Sequence, residues 1–178
     1  MTTFETLQRE VGEWSERQFG DQPVVNPLLG VGEEFGELVA HLESHDAVTN
    51  HERDCVGDLL VYLADFCHRR GHDLQAAADS TVPAERGYDD PLNGVATALG
   101  SLNRSVLKRR QGIRLDEDRV GDAAERRAIA RIVDSLDAFA RERGYTLEAC
   151  LAVAWDEEVS DREWDSSYVE ESADGGDA

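Results

Sequence analysis

The amino-acid sequence predicts an all-α fold, a helical bundle built from two tandem units that pack together as an intrachain pseudo-dimer. Three observations predict it. Apolar residues recur at helical spacing along nearly the whole chain, start and stop signals bracket each periodic segment, and the second half repeats the first. With 178 residues the chain is long enough to bury a core of its own.

Phe4, Leu7, Val11 and Trp14 form the apolar stripe of a first helix, with Thr2 and Glu5 at capping-box spacing and an end near Gly20 and Pro23. Asn26 and Pro27, a cap followed by proline, open a second helix that runs to about Ser44. A third begins near Thr49, with Glu52 again at capping-box spacing, and stops at Gly71. A short fourth follows Asp73. Asp90 and Pro91 open the next helix as Asn26 and Pro27 did, and a final helix is expected over 146–159. The organisation read from this pattern is a unit over 1–80, a linker over 81–89, a second unit over 90–168 and a disordered acidic tail over 169–178, all in one compact domain.

The repeat is explicit. Residues 27–38 lie over 91–102 with six of twelve identical, and 52–76 lie over 125–149 with eight of twenty-five identical. The offset grows from 64 to 73 because the second unit has a longer connecting loop. Arg70 and Gly71 fall on Arg143 and Gly144, and Leu74 falls on Leu147.

The first copy carries paired acids. Glu34 and Glu37 are three apart on the second helix, and Asp54 and Asp58 are four apart on the third, so each pair shares a helix face beside apolar residues. Unpaired carboxylates are costly to bury. Two such pairs on helices joined by a short loop suit a hard divalent cation, and Mg²⁺ takes oxygen ligands while leaving positions for phosphate and water. In the second copy Glu33, Glu34 and Glu37 become Thr97, Ala98 and Ser101, and Asp54 and Asp58 become Arg127 and Arg131. If the acidic face of one unit looks across at the basic face of the other, a metal-bound triphosphate finds both carboxylates and guanidinium forks. Residues 107–114, with Lys108, Arg109, Arg110 and Arg114, are the most basic stretch. They read either as cations complementing a helix C-terminus or as a phosphate clamp.

Composition narrows the partners. The net charge is −20, and Lys108 is the only lysine. With 40% of residues apolar the chain can still feed a core, so the acidity reads as adaptation to high salt. Duplex nucleic acid needs clustered cations and is a poor partner. Cys55, Cys67 and Cys150 have no zinc-ligand spacing and read as buried thiols of a reducing compartment. No basic-then-apolar leader opens the chain, and no apolar run reaches the roughly 20 residues of a membrane span. A cytoplasmic protein, monomer or homodimer, is expected.

Glu33-Glu34-Phe35-Gly36-Glu37 and Gly57-Asp58-Leu59-Leu60-Val61-Tyr62-Leu63 resemble the two acidic motifs of the MazG-like, all-α nucleoside triphosphate pyrophosphohydrolases. The resemblance covers about residues 4–80 and, more weakly, the second copy to about 164. It implies hydrolysis of a nucleoside triphosphate to monophosphate and pyrophosphate, a nucleotide-pool cleaning activity, with Mg²⁺ (or Mn²⁺ in its place) held by Glu34, Glu37 and Asp58. Glu33 or Glu34 would orient or deprotonate the attacking water, and Lys108, Arg114, Arg127 and Arg131 would bind phosphates. The family often has a glutamate where this chain has Cys55. Asp54, about 40° from Asp58 around the helix, is the acid that would replace it.

Asp65 and His68 continue the Asp54 and Asp58 stripe and, with Trp14, are base-binding candidates. A solvent-facing helix end for the first two and a core anchor for Trp14 are the structural alternatives. A catalytically silent helical module that binds nucleotides or protein is the other functional reading. A di-iron bundle is disfavoured, since its Glu-x-x-His pairs are missing.

Overall fold

The computed structural model describes residues 3–80, 90–114, 116, 119–160 and 162. They form helices and turns, with no strand among them. The order is α1 (Phe4–Phe19), α2 (Val25–Leu42), α3 (Asn50–Arg70), α4 (Leu74–Asp79), α5 (Pro91–Arg110), α6 (Asp122–Arg143) and α7 (Leu147–Leu151), which continues into a π-helical stretch over Ala152–Val159.

Local chemistry places most boundaries where the caps predict them. Thr49 accepts from the Glu52 N–H, Asp73 from Ala76 and Thr146 from Ala149. Gly71 and Gly144 end α3 and α6 in the left-handed region at φ 69° and 84°. In both turns the following N–H reaches back to the carbonyl five residues earlier, His72 to Cys67 and Tyr145 to Ala140. Three expectations shift. The cap of α1 is Thr3, which accepts from Thr6. The second helix starts at Val25, ahead of Asn26, whose side chain donates to Gln22. The final helix changes to π geometry after Leu151. The expected linker and the acidic tail lie outside the described residues.

The long helices pair as antiparallel hairpins, α2 on α3 and α5 on α6, and α1 lies along α3 and α4. The short helices cross over: α4, which follows α3, packs on α6, while α7, which follows α6, packs on α3. Gly57 permits the second of these contacts, because a Cβ there would sit 2.5 Å from the Cys150 carbonyl oxygen and from Ala154 Cβ. The buried centre is built from Leu7, Leu38, Leu59, Leu63, Phe66, Leu102, Ile129, Ile132 and Leu136.

Two buried carboxylates tie the halves together. Glu52, at the start of α3, accepts from Arg143 Nη2 at 2.6 Å, Arg143 Nε at 2.9 Å and the Tyr145 hydroxyl at 2.9 Å. Glu125, at the start of α6, accepts from Arg70 Nη2 at 2.8 Å and Ser105 at 2.9 Å, with His72 Nε2 2.9 Å away. Glu52 and Glu125 are 73 positions apart, as are Arg70 and Arg143, and His72 and Tyr145. Each half gives its glutamate to the arginine of the other. The capping-box role expected for Glu52 is therefore only half right: its N–H serves the cap, and its carboxylate serves Arg143.

Candidate metal centre

The α2–α3 hairpin sets the first-copy acids facing one another. Glu34 and Asp58 are half-buried, Asp54 is half-buried, and Glu33 and Glu37 are exposed. Their mutual repulsion registers at Glu34. Burial, followed by the charges of Asp58, Glu37, Glu33 and Asp54, raises its pKa from 4.5 to about 8. The same four-acid neighbourhood of Glu34, Glu37, Asp54 and Asp58, after burial, pushes the Cys55 thiol up to about 12. Glu34 and Asp58 also act on Tyr62, raised to about 12 chiefly by burial. A carboxylate pushed toward its neutral form by burial and then by its acidic neighbours is an electrostatic situation that a bound cation relieves. The donor set, all oxygen from two helices, fits a hard divalent ion. Glu34, Glu37, Asp54 and Asp58 are the residues that would hold it.

The expected cations lie elsewhere. The Glu52–Arg143 and Arg70–Glu125 pairs fix α3 and α6 antiparallel. At 1.5 Å per residue this register sets Arg127 about 21 Å along the axis from Asp54, and Arg131 about 9 Å from Asp58. Arg131 is half-buried and Arg127 exposed. The basic loop sits at the far end of α3. Arg109 there pairs with Asp122 at 2.6 Å and lies 3.6 Å from Glu125, the partner of Arg70. Lys108 donates to Gln111, and Arg114 is exposed. The halves meet end for end, so Arg127 and the basic loop lie toward the C-terminal end of α3, away from the end that carries Asp54, and Arg131 lies between the two ends.

The base-binding candidates are occupied by structural roles. Asp65 is buried, accepts from Ser15 at 2.9 Å and pairs with Arg69 at 2.9 Å. Arg69 also donates to Ser15, Gly20 and Gln22, so Asp65 staples the end of α1 to α3. The solvent-facing alternative for Asp65 does not hold either. His68 Nε2 lies 3.0 Å from Glu16, and its ring covers Gly12, where a Cβ would stand 2.2 Å from the imidazole. Trp14 is a core anchor, edge-on to Phe19 and Trp155.

Two groups escaped the sequence reading. His51 lies one turn before Cys55, and the donor atoms of Glu37, His51 and Cys55 lie within 4.8 Å of one another. Tyr62 lies one turn after Asp58. Extending the acid stripe on α3 by three residues before Asp54 and four after Asp58 is the signal that reaches both. A separate groove of about 370 Å³ is lined by Phe4, Gln75, Asp79, Asp134, Asp137 and Glu148 among others, contains none of the candidate site residues, and is too acidic to attract phosphate. No helix among the described residues is long and apolar enough to cross a membrane. Comparison with family models, with curated proteins and with solved structures finds no match to this chain.

Proposed function

We propose that this chain is a Mg²⁺-dependent nucleoside triphosphate pyrophosphohydrolase of the MazG-like kind, built from two units of which the second has lost its acids. The observation that carries the reading is the crowding of Glu33, Glu37, Asp54 and Asp58 around Glu34, whose pKa is raised to about 8. The exchanged Glu52–Arg143 and Arg70–Glu125 pairs and the crossed short helices support the pseudo-dimer arrangement of the two units.

When bound, the cation supplies neutralisation of triphosphate charge and a water of lowered pKa. Glu34, Glu37, Asp54 and Asp58 would hold it. Glu33, exposed beside Glu34, directs a water toward the α-phosphorus, so that the α–β anhydride bond breaks and pyrophosphate leaves. Arg131 is the candidate phosphate contact from the second unit.

A second reading has its own observation. The register keeps Arg127, Lys108 and Arg114 away from the acids, which favours a silent module that binds a cation or nucleotide without turning it over. Pyrophosphate release from a panel of canonical and damaged triphosphates with Mg²⁺ separates the two. Release that EDTA abolishes supports the enzyme, while binding of a triphosphate with no release from any supports the silent module.

A further inference from the structure

Three of the chain's five histidines, His41, His45 and His51, gather where α2 ends and α3 begins. The rings of His41 and His45 stack at 4.1 Å, and that of His41 meets His51 edge-on at 4.9 Å. Thr49 Oγ1, 2.8 Å from His41 Nε2, and the His41 carbonyl, 3.0 Å from His45 Nδ1, hold this stack in place. The stack in turn orients His51, whose Nε2 lies 3.8 Å from Cys55 Sγ. Glu37 brings a carboxylate from α2, and the donor atoms of Glu37, His51 and Cys55 all fall within 4.8 Å of one another. His51 and Glu37 are exposed and Cys55 is buried, so the three line a site that opens outward and is closed at its base by sulfur.

We propose that Glu37, His51 and Cys55 bind a borderline-soft divalent cation of the zinc class, at a site that shares Glu37 with the oxygen-only cluster and differs from it in metal preference. The donor chemistry decides the class. Magnesium avoids sulfur and imidazole, whereas zinc and cobalt bind thiolate, imidazole and carboxylate together and accept water as a fourth ligand. On binding, the Cys55 thiol releases its proton to solvent and the sulfur–metal bond forms. His51 binds as the neutral imidazole. His41 is a positioning residue: it fixes the ring of His51 without touching the metal.

The proposal does not depend on triphosphate hydrolysis, and its test reads the metal directly. Untagged protein stripped with EDTA is titrated with Co²⁺ and followed by absorption, then with Zn²⁺ by calorimetry. The expected results are a near-ultraviolet thiolate-to-cobalt band and saturable binding of one zinc per chain at this site. The band is expected to persist in excess Mg²⁺, in Asp58→Asn and in Glu34→Gln, and to vanish in Cys55→Ser. Zinc affinity should fall at least tenfold in His51→Ala, an exposed position that leaves the core intact and keeps the test decisive if Cys55→Ser misfolds. Absence of the band in the wild-type protein, its displacement by Mg²⁺, or wild-type zinc affinity in His51→Ala would overturn the proposal.

Discussion

Replacing Glu34 by glutamine should stabilise the metal-free protein, an unusual outcome for a partly buried polar position. The folded-state pKa of Glu34 lies above its unfolded value, so ionising it opposes folding. The penalty is absent below pH 4.5, grows as pH rises, and is complete above about 8. At 1.36 kcal/mol per unit the rise corresponds to ~5 kcal/mol. Water around a half-buried carboxylate screens much of that and leaves roughly 2 kcal/mol. For a chain of this length such a gain raises Tm by about 4–8 °C. Calorimetric melts of wild type and Glu34→Gln in EDTA should therefore separate at pH 9 and coincide near pH 4.5. Saturating Mg²⁺ at pH 9 should invert the order, because the wild-type folded state alone gains the binding energy, ~2.7 kcal/mol at a hundredfold excess over Kd. A Glu34→Gln variant that melts below wild type at pH 9 in EDTA would refute the claim that these carboxylates crowd one another.

Asp58→Asn should abolish Mg²⁺-dependent pyrophosphate release while its circular dichroism melt stays close to wild type; retained turnover removes Asp58 from the site. Arg131→Ala should raise the apparent KM for triphosphate and Arg127→Ala should leave it unchanged, as the antiparallel register requires; the reverse pattern in steady-state kinetics would discredit that register. Against its burial, Glu125 is held down to about pKa 2 by hydrogen bonds with His72, Arg70 and Ser105, and contributes stability that is present above pH 4.5 and lost as pH falls toward 2. Glu125→Gln should accordingly be destabilised by about 3 kcal/mol at pH 7 in urea melts, with the difference from wild type closing at low pH. Gly57→Ala should cost about 1–3 kcal/mol in the same assay, since its Cβ has no room against the Cys150 carbonyl.

What was legible in the sequence was local. Thr49, Asp73, Gly71 and Gly144 act within one helix turn, and a chain read in order displays both partners of such contacts. The convergence of Glu34, Glu37, Asp54 and Asp58 was legible for the same reason, since a single hairpin brings them together. Glu52 was misread because its carboxylate serves Arg143, 91 positions away, a distance that capping rules do not span. Arg127 and Lys108 were misplaced because helical period gives a residue's face and says nothing of which end of a neighbouring helix it meets. Asp65 reads as a base-binding candidate or a solvent-facing helix end because it continues the acid stripe, and only packing shows that Arg69 and Ser15 take up its oxygens. The π geometry of Ala152–Val159 adds a residue per turn without disturbing the apolar pattern that predicts a helix there.

The positions that agree between the halves and those that differ sort by what they touch. Glu52 and Glu125, Arg70 and Arg143, Gly71 and Gly144, Leu74 and Leu147 are identical pairs. They are the exchanged ion pairs, the turns behind them and the first residues of the crossed helices. Loss of an arginine from either ion pair strands a buried carboxylate contributed by the other half, at a cost of about 3–5 kcal/mol. Glu34 and Ala98, Glu37 and Ser101, Asp54 and Arg127, Asp58 and Arg131 are the pairs that differ, and at Glu34 burial and the charges of the surrounding acids oppose ionisation. Under the proposed function a divalent cation between α2 and α3 would supply the charge that offsets this cost.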